Sequence, residues 1–180
     1  PFGVDLVLPP GMPKHNSREA IEAEISVEHK NFVSGLIEKY QVPPASGPGM
    51  RTRFIRSSEI EEAQIQAVLE SSVNMFACGI GAPPEVLRQA KALGKTTLAL
   101  IGSPHHVQRA VAAGVDMLVA QGYDAGAHTG PIGTYSLVPQ IVDAAGDIPV
   151  LVAGGVATGR HVAAGLAMGA AGVWIGTAWL

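Results

Sequence analysis

Cysteine is almost absent from the 180-residue chain: the one thiol, Cys78, rules out an internal disulfide, and nothing in the composition points to an oxidising compartment. Aromatic residues are scarce at 5%, so the core is not built on large rings. Charge of one sign is lacking too. Twelve Lys and Arg stand against fifteen Asp and Glu, for a formal net charge of -3, and no long basic block is present to track a phosphate backbone. Nucleic acid is therefore excluded as the expected partner. No apolar run approaches the roughly 18 residues of a membrane span, and the first ten residues lack the basic start and apolar stretch of a signal peptide. The expectation is a cytoplasmic chain with one core.

Glycine, by contrast, is abundant at 22 residues, and hydrophobic residues reach 47%, well above the content of a disordered segment. Six short apolar segments predict strands: Phe2–Leu8, Val73–Cys78, Thr96–Ile101, Asp116–Ala120, Ile148–Ala153 and Gly172–Ile175. They are continuous rather than alternating, the pattern of strands covered on both faces, which points to a parallel sheet with helices outside it.

A repeat supports this reading. VLRQAKALGKTTLALIG (86–102), HVQRAVAAGVDMLVAQG (106–122) and HVAAGLAMGAAGVWIG (161–176) each run from a short helix through a glycine into a strand. Gly94, Gly114 and Gly169 fall where a helix needs a left-handed cap. Short helices feeding parallel strands give either a doubly wound sheet or a closed barrel. Periodicity does not separate the two, but the repeat runs on without a reversal, which favours an α/β fold of the parallel (β/α)8 TIM-barrel type. Eight strands close such a barrel. With six strands, Pro1 almost inside the first and Leu180 just past the last, residues 1–180 read as a barrel segment of about six β/α units. N-terminal strands and a C-terminal segment are expected to lie outside it. The stretch Ser34–Glu59, with Pro43, Pro44, Gly47, Pro48 and Gly49 followed by Arg51, Arg53 and Arg56, reads as a surface excursion.

Two regions carry candidate chemistry. AQGYDAGAHTG (120–130) follows a strand, and the ends of barrel strands are where active sites assemble. Its glycines let a flat ligand approach the backbone, and His128 among them is placed to move a proton near neutral pH. VAGGVATGR (152–160) sets Gly154 and Gly155 at a strand end, with Thr158 and Gly159 ahead of a helix whose N–H groups and dipole suit an anion. WIGTAW (174–179) repeats the arrangement one strand later with Gly176 and Thr177. Adjacent glycine turns after the last two strands form the usual phosphate site of a β/α barrel.

Three blocks, PFGVDLVLP, AQGYDAGAHTG and PVLVAGGVATGRHVAAGLAMGAAGVWIGTAWL, resemble signature blocks of the nitronate monooxygenase (2-nitropropane dioxygenase) family. The resemblance implies a β/α barrel that binds FMN noncovalently and oxidises alkyl nitronates, or nitroalkanes, with molecular oxygen. It implies that His128 is the catalytic residue over the flavin. It also implies FMN contacts at Asp5, Gln121, Gly126, Gly154 and Gly155, and at Trp174, Ile175, Gly176 and Thr177 of the final strand. Two positions depart from the family pattern. Asp5 stands where asparagine is usual, and an ionised aspartate accepts but does not donate. Ala127 replaces the central glycine of the AGGH block.

Competing readings concern both residues and function. His105 and His106 are neighbours that face different directions on a helix and lack a third ligand, so no metal site is expected. His161 reads as solvent-facing, and Cys78 as a small core residue rather than a nucleophile. Close relatives with nearly the same blocks are flavin-dependent enoyl-ACP reductases, which makes enoyl reduction the alternative activity. A non-catalytic phosphate-ligand barrel is the third.

Overall fold

The computed structural model describes residues 2–14, 17–47 and 56–180. Two compact units are present: Pro1–Pro10 with Gln64–Leu180, and Gly11–Ala63. In the first unit the strands are β1 (Gly3–Val7), β2 (Met75–Gly79), β3 (Thr96–Ile101), β4 (Met117–Gln121), β5 (Val150–Ala153) and β6 (Gly172–Trp174). Each expected strand is present, with ends shifted by up to two residues. The helices following β2 to β5 are α4 (Pro84–Ala92), α5 (Val107–Ala112), α6 (Thr134–Ala145) and α7 (Gly159–Ala167). All five strand pairs are parallel, and the sheet order is β1-β2-β3-β4-β5-β6. A doubly wound sheet would reverse direction part-way along that order. An unbroken sequential order is that of the β/α barrel, so the ambiguity left by periodicity is resolved.

The two faces of the sheet have different cores. Toward the helices lie Phe76, Cys78, Ala99, Ile101, Leu118, Ala120, Val150 and Val152. They pack with Leu87 and Ala90 of α4, Val107 and Ala110 of α5, and Leu137, Val138 and Ile141 of α6. The helical partners recur at three- and four-residue spacing because that interval returns a side chain to one face. On the opposite face Ala77, Leu98, Val119 and Ala153 form a second, smaller layer with Met75, Leu100, Met117, Leu151 and Trp174. Burial on both faces is why the strands read as unbroken apolar runs. The caps expected at Gly94, Gly114 and Gly169 adopt φ of +75°, +87° and +91°. Each lets a helix stop and the chain turn at once into its strand.

Charged side chains lock the edge at which the strands begin. Lys95, buried at the start of β3, donates from Nζ to Ser71 O at 2.7 Å and Val73 O at 3.0 Å. This satisfies the buried ammonium while tying the end of α3 (Ser58–Glu70) to the sheet. Asp116, just ahead of β4, accepts at Oδ2 from both the N–H and the hydroxyl of Thr97 at 2.8 Å. Its Oδ1 pairs with Lys91 of α4 at 2.8 Å. Desolvation raises the Asp116 pKa, but the Lys91 and Thr97 bonds outweigh it and hold the carboxyl below its ordinary value.

The second unit holds α1 (Arg18–Glu24) and α2 (Val27–Lys39), capped by Ser17 and Ser26, whose side chains accept from Ala20 N and His29 N. Neither helix buries a residue. The surface excursion expected from Ser34 is thus helical as far as Lys39. Prolines and glycines further on drew the boundary too early. Arg51 and Arg53 lie outside the described residues, and Arg56 precedes α3.

The Asp116 cluster sets a pH-dependent stability. A carboxyl held below its unfolded pKa stabilises the fold fully above about pH 3.9, and that stabilisation is lost as pH falls through the folded value. Asp116→Ala is expected to cost about 1–3 kcal/mol in urea unfolding at pH 7, because it strands the buried Thr97 donors. The deficit relative to wild type should narrow below about pH 3.9. An equal deficit at pH 7 and pH 3 would show that the charge contributes nothing.

Candidate functional site

Because every strand is parallel, the chain leaves β4, β5 and β6 at one common edge. Gln121, Ala153 and Trp174 are paired across that edge, Gln121 with Ala153 and Ala153 with Trp174. Paired residues of a parallel ladder point to the same face, so Gln121 and Trp174 flank the small Ala153 on the face away from the helices. The side chain of Ile175 goes the other way, into the helix-side core, and only its backbone serves the edge.

The turn after β5 is the most constrained part. Gly154 and Gly155 take φ of +97° and +73° in succession, a conformation that side chains disfavour. A Cβ on Gly154 would lie 2.7 Å from Thr134 Oγ1 and 2.8 Å from Gly122 O. One on Gly155 would lie 3.1 Å from Asp124 Cβ. Gly176, after β6, differs: its φ is -116° and nothing lies within 4 Å of its Cβ position. Beyond the β5 turn, α7 opens at Thr158 with no side-chain cap and has Arg160 rather than an acid in its first turn. Its N-terminal end is thus positive, with amides not capped by a side chain.

The loop after β4 reaches across this turn. Gln121 Nε2 donates to His128 O at 3.1 Å and so holds the histidine's own backbone. A Cβ on Gly126 would meet Thr177 Oγ1 at 2.6 Å, so the β4 loop touches the segment after β6. On its other side the loop rests backbone to backbone on the end of β3: a Cβ on Gly130 would lie 2.5 Å from Gly102 O, and one on Gly102 3.0 Å from Gly130 N. The His128 ring is exposed, and no hydrogen bond engages it among the described residues. The edge therefore combines a reachable imidazole, two glycine turns and a positive helix end.

Asp5 is not part of this cluster. It lies on the same sheet face, but on β1, in a row that runs through Ala77, Leu98 and Met117 below the strand ends. Desolvation raises its carboxyl pKa, partly offset by a hydrogen bond with the Gly79 backbone. Cys78 faces the helices and is fully buried; desolvation, then the Asp5 charge, pushes its thiol up to about 12. It is a core residue, as its sequence context suggests, and not a nucleophile. His161 is exposed, as its sequence context suggests, and its Nδ1 also accepts from Ala157 N at 3.0 Å, which braces the turn after β5. Among the described residues no group of three or more His, Cys, Asp and Glu is arranged to hold a metal, and no helix is long and apolar enough to cross a membrane.

Sequence reasoning missed Asp124 and Thr134. Asp124 Oδ2 accepts from Thr134 N at 2.9 Å, and Thr134 Oγ1 donates to Gly154 O at 3.0 Å. An Asp ten residues ahead of a helix's first residue carries no local capping signal, because the two meet only once the loop has folded.

Known proteins share this sequence pattern and this fold. The family profile for nitronate monooxygenase matches residues 1–180. Protein Rv1533 of Mycobacterium tuberculosis is 38% identical over all of this chain and 50% of its own. The solved nitroalkane oxidase from Streptomyces ansochromogenes superposes with a TM-score of 0.71 at 27% identity, over 99% of this chain and 50% of that one. FabK from Thermotoga maritima gives a TM-score of 0.62 at 31% identity, over 66% of this chain and 38% of that one. The chain spans about a third to half the length of the curated relatives it matches.

The two glycine turns differ in what they tolerate. Gly155→Ala should destabilise the fold by about 1–2 kcal/mol, the cost of a side chain in the left-handed region. Gly176→Ala should stay within about 0.5 kcal/mol of wild type. Urea unfolding of the two variants checks this, and equal costs would contradict the difference in backbone geometry.

Proposed function

The chain belongs to the nitronate monooxygenase family, and from that premise we propose that the protein binds FMN at the β4–β6 edge and oxidises alkyl nitronates with molecular oxygen. The observation that carries this reading is the meeting of three loops: the His128 loop lies against Thr177 beyond β6, while the Gly154–Gly155 turn ends β5, the strand between them. In this reading a phosphate-bearing ligand and the imidazole would meet at that edge.

The residues present fit FMN. Two adjacent glycine turns suit one terminal phosphate, and no GxGxxG dinucleotide fingerprint follows any strand. A side chain at Gly154 would collide with Thr134 Oγ1 and Gly122 O, and one at Gly155 would crowd Asp124, so only glycines keep this tight turn with backbone amides free to face an anion. In this reading Gly154, Gly155, Gly176 and Thr177 hold the phosphate, with the start of α7 adding favourable potential. Gln121, Gly126 and Trp174 line the flavin, Ile175 serves through its backbone, and Asp5 stays outside this set, below the strand ends on β1. Bound FMN supplies the electron acceptor for the substrate and the route to oxygen.

His128 acts on the substrate. With a neutral nitroalkane, the imidazole takes the proton from the carbon bearing the nitro group. With a preformed nitronate that proton is already gone, and the protonated ring balances the anion's charge. Gln121, by gripping the His128 carbonyl, fixes the loop from which the ring extends. Likeness to the nitroalkane oxidase over 99% of the chain favours this activity over enoyl-ACP reduction.

The full-length protein should copurify with FMN, identified by mass spectrometry of the released cofactor; FAD or no flavin in a folded preparation would sink the proposal. Gly176→Val should lower FMN occupancy while leaving the fold intact. Gly155→Val is the poorer probe, since it strains the turn itself. At matched occupancy, His128→Asn should slow nitroalkane oxidation by roughly 10²–10⁴-fold and oxidation of propionate 3-nitronate far less. Unchanged rates with both substrates would leave His128 without a chemical task. Assaying NADH with a crotonyl thioester alongside separates the reductase alternative.

A further inference from the structure

Thr134 opens α6, yet its polar neighbours belong to the loop after β4 and to the end of β5 with the turn that follows it. Its hydroxyl donates to Gly154 O at 3.0 Å and lies 3.5 Å from Ala153 O. Its N–H donates to Asp124 Oδ2 at 2.9 Å. It can sit there only because residue 122 is glycine: a Cβ on Gly122 would lie 2.3 Å from both Thr134 N and Oγ1. Gly154 is subject to the same limit, its Cβ position being 2.7 Å from that hydroxyl. Two glycines, one from each loop, are thus fitted around a single threonine.

The bond to Gly154 O has a directional consequence. A trans peptide is planar, with its C=O and N–H pointing in opposite directions. No cis peptide is present in the described chain. When Thr134 draws the Gly154 carbonyl toward α6, the N–H on the other side of that peptide, which belongs to Gly155, must point away from α6. Gly155 is exposed, and among the described residues nothing accepts its N–H.

We propose that Thr134 is a positioning residue of the phosphate turn: clasped by Asp124, its hydroxyl pins the Gly154 carbonyl and so aims the Gly155 N–H outward at the ligand's phosphate. The proposal rests on the FMN reading above and deepens it. Without the hydroxyl, the Gly154–Gly155 peptide is free to rotate, and a glycine pair offers little resistance. The ligand must then order the turn as it binds, which weakens affinity for the phosphate while leaving the ring's contacts alone. Thr134→Ser keeps the hydroxyl, whereas Thr134→Val keeps the shape and removes it.

The test is to measure the affinities of flavin-stripped full-length protein for FMN and for riboflavin, which lacks the phosphate, by flavin fluorescence. Their ratio reads the phosphate subsite alone. Wild type should prefer FMN, Thr134→Val should cut that preference about tenfold at unchanged riboflavin affinity, and Thr134→Ser should restore it. Asp124→Ala, which releases the clasp from the other side, should move the ratio the same way and serves if Thr134→Val does not fold. An unaltered ratio in Thr134→Val or, where that variant does not fold, in Asp124→Ala overturns the positioning role and leaves the FMN reading standing. Equal weakening of both ligands also overturns it, since that is the mark of general damage. A wild type with no preference for FMN instead refutes the phosphate reading itself.

Discussion

A parallel strand cannot hairpin back to its neighbour; its chain must leave at one edge, cross the face of the sheet and re-enter at the other. That requirement organises everything else in the β1–β6 unit. It sends every post-strand loop to one edge and every pre-strand turn to the opposite one, and the two edges are built from different materials. The entry edge is held by Lys95, by Asp116 with Thr97 and Lys91, and by the positive-φ glycines that end the helices. The exit edge is held by close backbone contacts between glycines and by single hydrogen bonds through Gln121, Asp124, Thr134 and His161. Charged fastening thus sits at one end of the strands and the candidate site at the other.

The architecture was legible in the sequence because apolar burial, the strongest force favouring the folded chain, leaves a one-dimensional record. Strands such as Thr96–Ile101 are covered on both faces and so appear as unbroken runs, and the glycine after each short helix marks the turn into the next. Order in the sheet is a property of many strands together, and no single run encodes it. The unbroken β1 to β6 order is what separates a barrel segment from a doubly wound sheet. The helix α2 was half hidden for a different reason: none of its residues is buried, so no apolar stripe distinguished Ser34–Lys39 from the loop after it.

The candidate site was legible in part. Glycines 154, 155 and 176 and His128 are conspicuous because glycine turns after successive strands, with one imidazole in the loop beside them, form a recognisable grouping in the sequence. Whether a glycine is needed for its φ, as at Gly155, or for open space, as at Gly176, is invisible until the backbone is known. Asp124 and Thr134 were missed because common residues in a loop and a helix start give no signal; their meeting depends on the return of the chain from Ile132 to the β4 end, where Tyr123 N bonds Ile132 O at 3.0 Å. His161 likewise looks like any surface histidine until its Nδ1 is seen to accept from Ala157 N.

The seating of the β4 loop on the end of β3 has an evolutionary consequence. Gly102 and Gly130 come from different loops, yet each occupies the place where the other's side chain would go. Neither drifts freely: an alanine at 130 would put its Cβ 2.5 Å from Gly102 O and force the loop off its seat, and one at 102 would crowd Gly130 N at 3.0 Å. Substitution at the pair is therefore not two independent events but one, and it is blocked at the first step. Lineages that descend from this fold are expected to inherit the two anchors together, whatever else changes in the loops that carry them.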